Sequence, residues 1–415
     1  MSRILNKIAL YVWSGLCSGI LSMSFHACIS IEIEENTHKR NILFYIGGDN
    51  NLGSEPSEKI NEIRKGWQPE KGEMLIYVDQ RNIDACLLRI NGIQDANGYY
   101  GLDTLETYIN DNSADKEVLK RVINKVVSDF PADSYGMLFF SHASGWLPEG
   151  MLARPRSLVI DNGEGTNREM EYYDFAGAIP DNQFDFIIFE ACLMADVMTM
   201  YELRNKTQYV LASSAEIVSP GFTDIYRSDI MRLFDTRSAI PSALSGFAQS
   251  YYDRITSIAD TNASCSATLG IIKMSEMQNL AAVVRTALNG TTIDETTLTV
   301  DSMQRFDRPR PNDINLITSG NRRSRYFDLG HVMDSLTTVS QYAQFNAQMN
   351  KTVVWKASTK RFLLENFNNG NPNYNRYDGY FIEHHSGLTT YIEQAVYPEL
   401  NAAFRNSSWY RAILP

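Results

Sequence analysis

Cysteine is scarce in this sequence, with five in 415 residues, at positions 17, 28, 86, 192 and 265. That excludes a small secreted scaffold held by bridges, so the chain must fold on its own apolar core. Spacing gives no support to a Cys86–Cys265 bridge, and both read most simply as buried small hydrophobes. Positive charge is also short, with 38 Lys and Arg against 49 Asp and Glu, a net of −11. Nucleic acid and anionic membrane surfaces repel such a chain, whereas neutral or basic soluble partners suit it. No apolar run after residue 27 is long enough to span a bilayer. Internal repeats and low-complexity tracts are missing as well. What is present is 44% hydrophobic content, rich in Tyr and Phe, enough for a sizeable core.

The first 27 residues are laid out as a secretory signal. Arg3 and Lys7 precede an apolar stretch from Ile8 to Phe25, which closes on Phe25-His26-Ala27-Cys28. A small residue followed by cysteine resembles the lipobox of bacterial lipoproteins, although Phe25 and His26 depart from its usual form. Cys28 is therefore the candidate lipidation site, and a lipid anchor is the one membrane contact expected. Ordinary export or an uncleaved anchor is the alternative. Removing residues 1–27 deletes Arg3 and Lys7 and no acid, which takes the net charge from −11 to −13. Residues 28–39 read as a linker.

Short apolar runs then alternate with amphipathic segments. Ile42–Ile46, Met74–Val78, Met137–Phe140, Phe186–Phe189 and Tyr209–Ala212 are apolar on both faces, as central parallel strands are. From Asp115 to Phe130, Val118, Leu119, Val122, Ile123, Val126 and Val127 recur at helical spacing. The same pattern follows Cys192 in Met194, Val197, Met198 and Tyr201. This alternation predicts an α/β fold, with helices on both faces of a mostly parallel sheet. Cys86–Ile90 and Tyr99–Leu102 read as an appended hairpin. Residues 40–267 form the main domain in this reading, and 268–415 a smaller C-terminal α/β subdomain. Two polar stretches, 147–171 and 289–321, interrupt the plan.

In open α/β sheets, ligands bind beyond the carboxyl ends of the strands. One predicted strand runs out at His142 and another at Cys192, an interval of 192 − 142 = 50 residues. If these strands are neighbours, imidazole and sulfur share one edge of the sheet. A catalytic cysteine needs such a base, because the thiolate is the species that attacks a carbonyl. A helix beginning straight after Cys192 would stabilise that thiolate further. The N–H groups of Cys192 and Ala143 are natural donors for an oxyanion. Glu190, two residues before Cys192, is expected on the same face, set back as the acid of a pocket for a cationic side chain. The plainer alternative for Glu190 is a surface acid at a strand end.

These residues carry a resemblance. His142-Ala-Ser-Gly-Trp146 and Glu190-Ala-Cys-Leu-Met194 resemble the His-Gly-Ser-Gly-Trp and Asp-Ala-Cys-Leu-Met segments of the clostripain family of cysteine peptidases. Further segments resemble the family in order: Phe44–Leu52, Ser213–Gly221, Tyr326–Leu329 and Gly387–Ile392. The resemblance implies a caspase-like three-layer sandwich that hydrolyses peptide bonds by a dyad, with Cys192 as nucleophile and His142 as base. It also implies substrate contacts at Glu190, Ser213, Ser214 and Glu216, and cleavage after Arg or Lys. Protein or peptide substrates bearing basic residues are then the expected partners. Glu for Asp at 190 adds a methylene to the pocket, and Ala for Gly at 143 restricts the backbone that aims its N–H. A non-catalytic binding lipoprotein on the same fold is the alternative. Family members often cut themselves between the two catalytic strands, and Arg156 is the candidate bond here, since Arg154 precedes proline.

No cofactor is expected. Some relatives use calcium, but Asp161–Glu164 does not fit an EF-hand loop, so no metal site is assigned. Glu383-His384-His385 reads as a strand with its imidazoles on opposite faces, unsuited to one ion. His331 falls in a helical pattern and reads as packing or a cap. Gly47–Asn51 lacks the Lys-Ser/Thr ending of a phosphate loop and reads as a turn bordering the cleft.

Overall fold

A nine-stranded sheet organises the molecule. The computed structural model describes residues 38–50, 52–109, 111–151, 160–161, 168–258, 265–307, 323–363 and 379–414. The signal segment, Cys28, Arg156 and residues 162–164 lie outside them. Residues from His38 onward form one compact unit.

The sheet contains β1 (Arg40–Gly48), β2 (Met74–Gln80), β3 (Ile83–Gln94), β4 (Tyr100–Tyr108) and β5 (Ser134–Phe140). It continues through β8 (Phe184–Glu190), β9 (Thr207–Ala212), β10 (Thr268–Lys273) and β12 (Val353–Ser358). Three two-stranded ribbons accompany it: β6 (Ile160–Asp161) with β7 (Arg168–Glu169), β11 (Phe327–Asp328) with β15 (Thr389–Thr390), and β13 (Arg361–Leu363) with β14 (Gly379–Phe381). The order across the large sheet is β12-β10-β9-β8-β5-β1-β2-β3-β4. Its five central strands, β2, β1, β5, β8 and β9, run parallel. Antiparallel pairs complete both edges.

Burial on both faces explains the unbroken apolar runs of the central strands. One face packs α1 (Glu55–Gly66), α5 (Thr223–Asp229) and α6 (Ile240–Thr256) through Ile60, Ile63, Tyr226 and Phe247. The other packs α2 (Lys116–Asp129), α3 (Tyr172–Ala178), α4 (Val197–Leu203), α7 (Met277–Leu288), α8 (Leu329–Leu336), α9 (Val339–Thr352), α10 (Pro398–Asn406) and α11 (Ser408–Ile413). Helix α2 follows its periodicity, burying Val118, Leu119, Val122, Ile123 and Val126, with Asp115 capping its start by accepting from the Glu117 N–H.

Residues 268–415, expected as a smaller subdomain, contribute β10 and β12 to this same sheet and α7 to α11 to one of its faces. The expected hairpin likewise extends the sheet, as β3 and β4. Cys86, Cys192 and Cys265 are thiols, and Cys86 is half-buried rather than core. Burial, with nearby Asp79, raises the Cys86 thiol above its ordinary pKa.

Candidate active site

Strands β5 and β8 are parallel neighbours with Phe140 opposite Glu190. His142 and Cys192 each follow one of these strand ends by two residues, at the carboxyl edge of the sheet. Neighbouring strands lie about 4.8 Å apart, so the fifty-residue interval returns the chain to the strand next to the one that leads to His142. Both side chains are half-buried, as groups that must meet a substrate need to be. The two strand exits also touch. Gly145 has φ +55°, and a Cβ added there would stand 2.5 Å from the Leu193 carbonyl oxygen and 2.7 Å from Asp196 Oδ2. Gly145→Ala should therefore push the His142 segment off the Cys192 segment. The expected result is a loss of about 1 kcal/mol or more in stability, read by urea denaturation, with a fall in kcat/KM larger than that of a surface Gly→Ala control.

The His142 segment is held on three sides. Ser141 Oγ donates to the Gly47 carbonyl at 2.8 Å, so the Gly47–Asn50 turn borders this edge. The Tyr326 hydroxyl donates to the Ser144 carbonyl, and Trp146 packs on Tyr391 with ring centroids 4.9 Å apart. Ala143 is buried between them.

On the other side the Cys192 thiol faces the Ile217 carbonyl at 3.9 Å and packs against the core. Leu193 follows with φ +62°, a left-handed conformation that costs a non-glycine residue roughly 1–2 kcal/mol. It is held by hydrogen bonds from the Leu193 N–H to the Ala215 carbonyl and from the Ala195 N–H to the Ser213 carbonyl, both 2.9 Å. Strain of this kind gathers at functional positions. It also corrects the expected helix start. Helix α4 begins at Val197, not directly behind Cys192, because the chain must first turn through Leu193. The start of α4 is occupied by Asp196, whose carboxylate accepts from the Thr199 N–H at 2.8 Å and hydroxyl at 2.7 Å.

Burial pushes the Asp196 carboxyl up to about 7 against those hydrogen bonds. The native state thus holds a proton that the unfolded chain, with an ordinary pKa of 3.8, has released. Its stabilising contribution is complete below about pH 4 and is lost as the pH rises through 7. Asp196→Asn should flatten that part of the profile of melting temperature between pH 4 and pH 8. An unchanged slope would count against Asp196 as its source.

Glu190 lies on the face of the preceding alternate residues, Phe186 and Ile188, which α1, α5 and α6 cover. Cys192 packs against the core on the opposite side, so the expected shared face with Cys192 ends with the strand. Glu190 is not an acid open to the cleft. Its Oε1 accepts from Lys59 Nζ at 2.8 Å and from the Phe222 N–H at 2.5 Å, and its Oε2 accepts from the Tyr226 hydroxyl at 2.5 Å. The side chains of Lys59 and Glu190 are 0% and 2% exposed. Burial raises the Glu190 carboxyl, while Lys59, Tyr226 and the Phe222 N–H pull against it. Three donors on one carboxylate favour its ionised form.

Sequence reasoning missed Lys59. The signal was its spacing, since Pro56, Lys59, Ile60 and Ile63 form the buried stripe of α1.

Ser213 and Ser214 are also buried. Ser213 Oγ lies 2.9 Å from Thr268 Oγ1, and Ser214 Oγ lies 3.5 Å from His385 Nε2. The Ser213 hydroxyl therefore ties β9 to β10, and its backbone carbonyl is the part that reaches the Cys192 segment. Glu216 is half-buried, one residue before Ile217. Residues 383–385 follow β14 and are not a strand. His384 stacks on His331 at 3.8 Å, and burial drives His385 down to about 3. Within α8, His331 Nδ1 accepts from the Gln304 N–H at 3.0 Å, a packing role. Among the described residues, no group of three or more His, Cys, Asp or Glu is arranged to hold a metal ion, and no helix is long and apolar enough to cross a membrane.

Three comparisons bear on this arrangement. The model of the clostripain family, Peptidase_C11, matches residues 44–397. Clostripain from Hathewaya histolytica is 25% identical over 229 residues, 46% of this chain and 43% of that protein. The chain thus aligns with less than half the length of that curated relative. Two solved structures superpose with a TM-score of 0.73, each covering 91% of this chain and 99% of its own. One, 27% identical, is an inactive zymogen C11 protease from Parabacteroides distasonis. The other, 28% identical, is a secreted C11 cysteine protease from Bacteroides thetaiotaomicron bound to an irreversible peptide inhibitor. With a caspase-like α/β sandwich, His142 and Cys192 just beyond adjoining strand ends and a family match over most of its length, the chain belongs to the clostripain family.

Proposed function

We propose that this chain is a cysteine endopeptidase in which Cys192 is the nucleophile and His142 the general base. The observation that supports the reading is the parallel pairing of β5 with β8, Phe140 opposite Glu190, whose ends lead two residues on to His142 and to Cys192. His142 takes the thiol proton and the thiolate sulfur bonds to the substrate carbonyl carbon. The N–H groups of Cys192 and Ala143 receive the charge that develops on the carbonyl oxygen. The C–N bond then breaks as His142 returns the proton to the leaving amine. Water, deprotonated by His142, releases the acid from the thioester and restores the thiol. No cofactor enters these steps, and no calcium site is assigned.

Cleavage after Arg or Lys was implied through Glu190, and its pairing with Lys59 removes that support. A substrate contact at Glu216 remains part of the proposal, and the contacts of Ser213 and Ser214 are through their backbone. Activation by a cut in the 147–171 linker, after Arg156, belongs to the proposal too. With Glu190 already paired, that cut is expected from another protease. Export through the 1–27 signal has the support of a secreted relative, and lipidation at Cys28 is its finer form. The test is covalent labelling. A peptidyl chloromethyl ketone should add one mass increment at Cys192, after controlled cleavage of the linker if the intact chain is latent. Failure to label in both forms would sink the reading.

A further inference from the structure

We propose that Lys59 is an internal occupant of the acid pocket beside Cys192, discharging Glu190 and turning the site away from a basic residue before the scissile bond. The inference rests on the peptidase reading above.

Lys59 reaches in from α1 and spends all three of its donors. They go to Glu190 Oε1 at 2.8 Å, the Pro220 carbonyl at 2.9 Å and Thr223 Oγ1 at 2.8 Å. Its ammonium also lies 4.3 Å from the centre of the Phe140 ring. Phe140 stands two residues before His142, and Glu190 two before Cys192, so the amine is bracketed by both strands that end in the site. A substrate ammonium or guanidinium arriving here would find the carboxylate, the carbonyl, the hydroxyl and the aromatic face already engaged. It would also meet the positive charge of Lys59.

Gly221 closes on the same carboxylate, since a Cβ added there would stand 2.2 Å from Glu190 Oε1. The other acid near the amine is Glu55, 3.7 Å from Lys59 Nζ and on the more exposed side. Lys59 thus supplies from within the protein the cation that Glu190 would otherwise take from a substrate. A neutral side chain before the scissile bond is what such a pocket suits.

The test compares kcat/KM on peptide-amide reporters identical except for Arg, Lys, Gln, Leu or Asp before the amide. The wild type should favour Gln or Leu over Arg and Lys. Lys59→Ala should raise the ratio of Arg or Lys to neutral at least tenfold, Glu190→Gln should raise that of Asp, and the double variant Lys59→Met/Glu190→Gln should return to the wild-type order. A wild type that favours Arg or Lys, with a ratio that Lys59→Ala leaves unchanged and Glu216→Gln abolishes, would assign selection to Glu216 and overturn the inference.

A second readout needs no catalysis. n-Butylammonium should raise the melting temperature of Lys59→Ala above an equal concentration of potassium chloride, and do so neither for the wild type nor for the double variant. No reporter cleaved by any form would defeat the peptidase reading while the amine shift still decides the pocket. An absent shift overturns the inference.

Discussion

Cys192→Ala should lower kcat/KM on peptide-amide reporters by at least about 10³-fold, with the fold intact. His142→Ala should cost a comparable factor, and the double variant little more than either single change, because nucleophile and base act as one unit. The physical reason lies in the reaction's first bond. Alanine offers no atom to attack the carbonyl, and without the imidazole the thiol keeps its proton. The oxyanion donors remain in both variants, so a residual rate above water is expected. Cys192 is half-buried, and trimming its sulfur leaves at most a small cavity, so the melting temperature should fall by only a few degrees. Reporter assays on the processed protein, with circular dichroism melts as the folding control, separate lost chemistry from lost structure. Equal turnover by wild type and Cys192→Ala would defeat the proposed mechanism. Additive losses in the double variant would instead show that Cys192 and His142 act independently.

Much of the fold was legible because the central strands are apolar on both faces, which only a doubly covered parallel sheet requires. The positions of His142 and Cys192 beyond two strand ends followed from where the apolar runs of β5 and β8 stop. What could not be read was non-local. The pairing of β10 with β9 and β12 depends on chain segments distant in sequence, so residues 268–415 read only as a smaller C-terminal α/β subdomain. The start of α4 was hidden by one dihedral, since Leu193 carries no mark of a left-handed turn. Strand parity set Glu190 with Phe186 and Ile188, but alternation ends with β8 at Glu190 and did not carry through to Cys192. It did not say which helix lay on that face. Lys59 sits in Glu55-Pro-Ser-Glu-Lys-Ile-Asn-Glu, where lysine looks like solvent-facing polarity. Only its place on the apolar stripe of α1 set it apart.

Lys59→Met should destabilise the folded protein by about 3–5 kcal/mol, because it leaves a buried carboxylate without its cation. Glu190→Gln should cost a similar amount for the opposite reason, stranding the ammonium between Pro220, Thr223 and Phe140. Replacing both should recover most of the loss, since no uncompensated charge is then buried and the volume is roughly conserved. Urea denaturation of the four proteins gives the coupling energy directly, and a value under about 1 kcal/mol would show that the pair is not a working ion pair. The cycle also carries information about function. If Lys59 holds the place of a substrate cation, Lys59→Ala, which vacates that place, loses stability that a ligand can restore. A peptide aldehyde ending in arginine should then stabilise that variant more than the wild type, and one ending in leucine should not. A purely structural pair would show the loss without the selective recovery, because no ligand side chain would reach the vacated position. Stability and specificity at Glu190 are therefore two readings of one charge, and the variant that is weakest on its own should be the one most strengthened by a basic peptide.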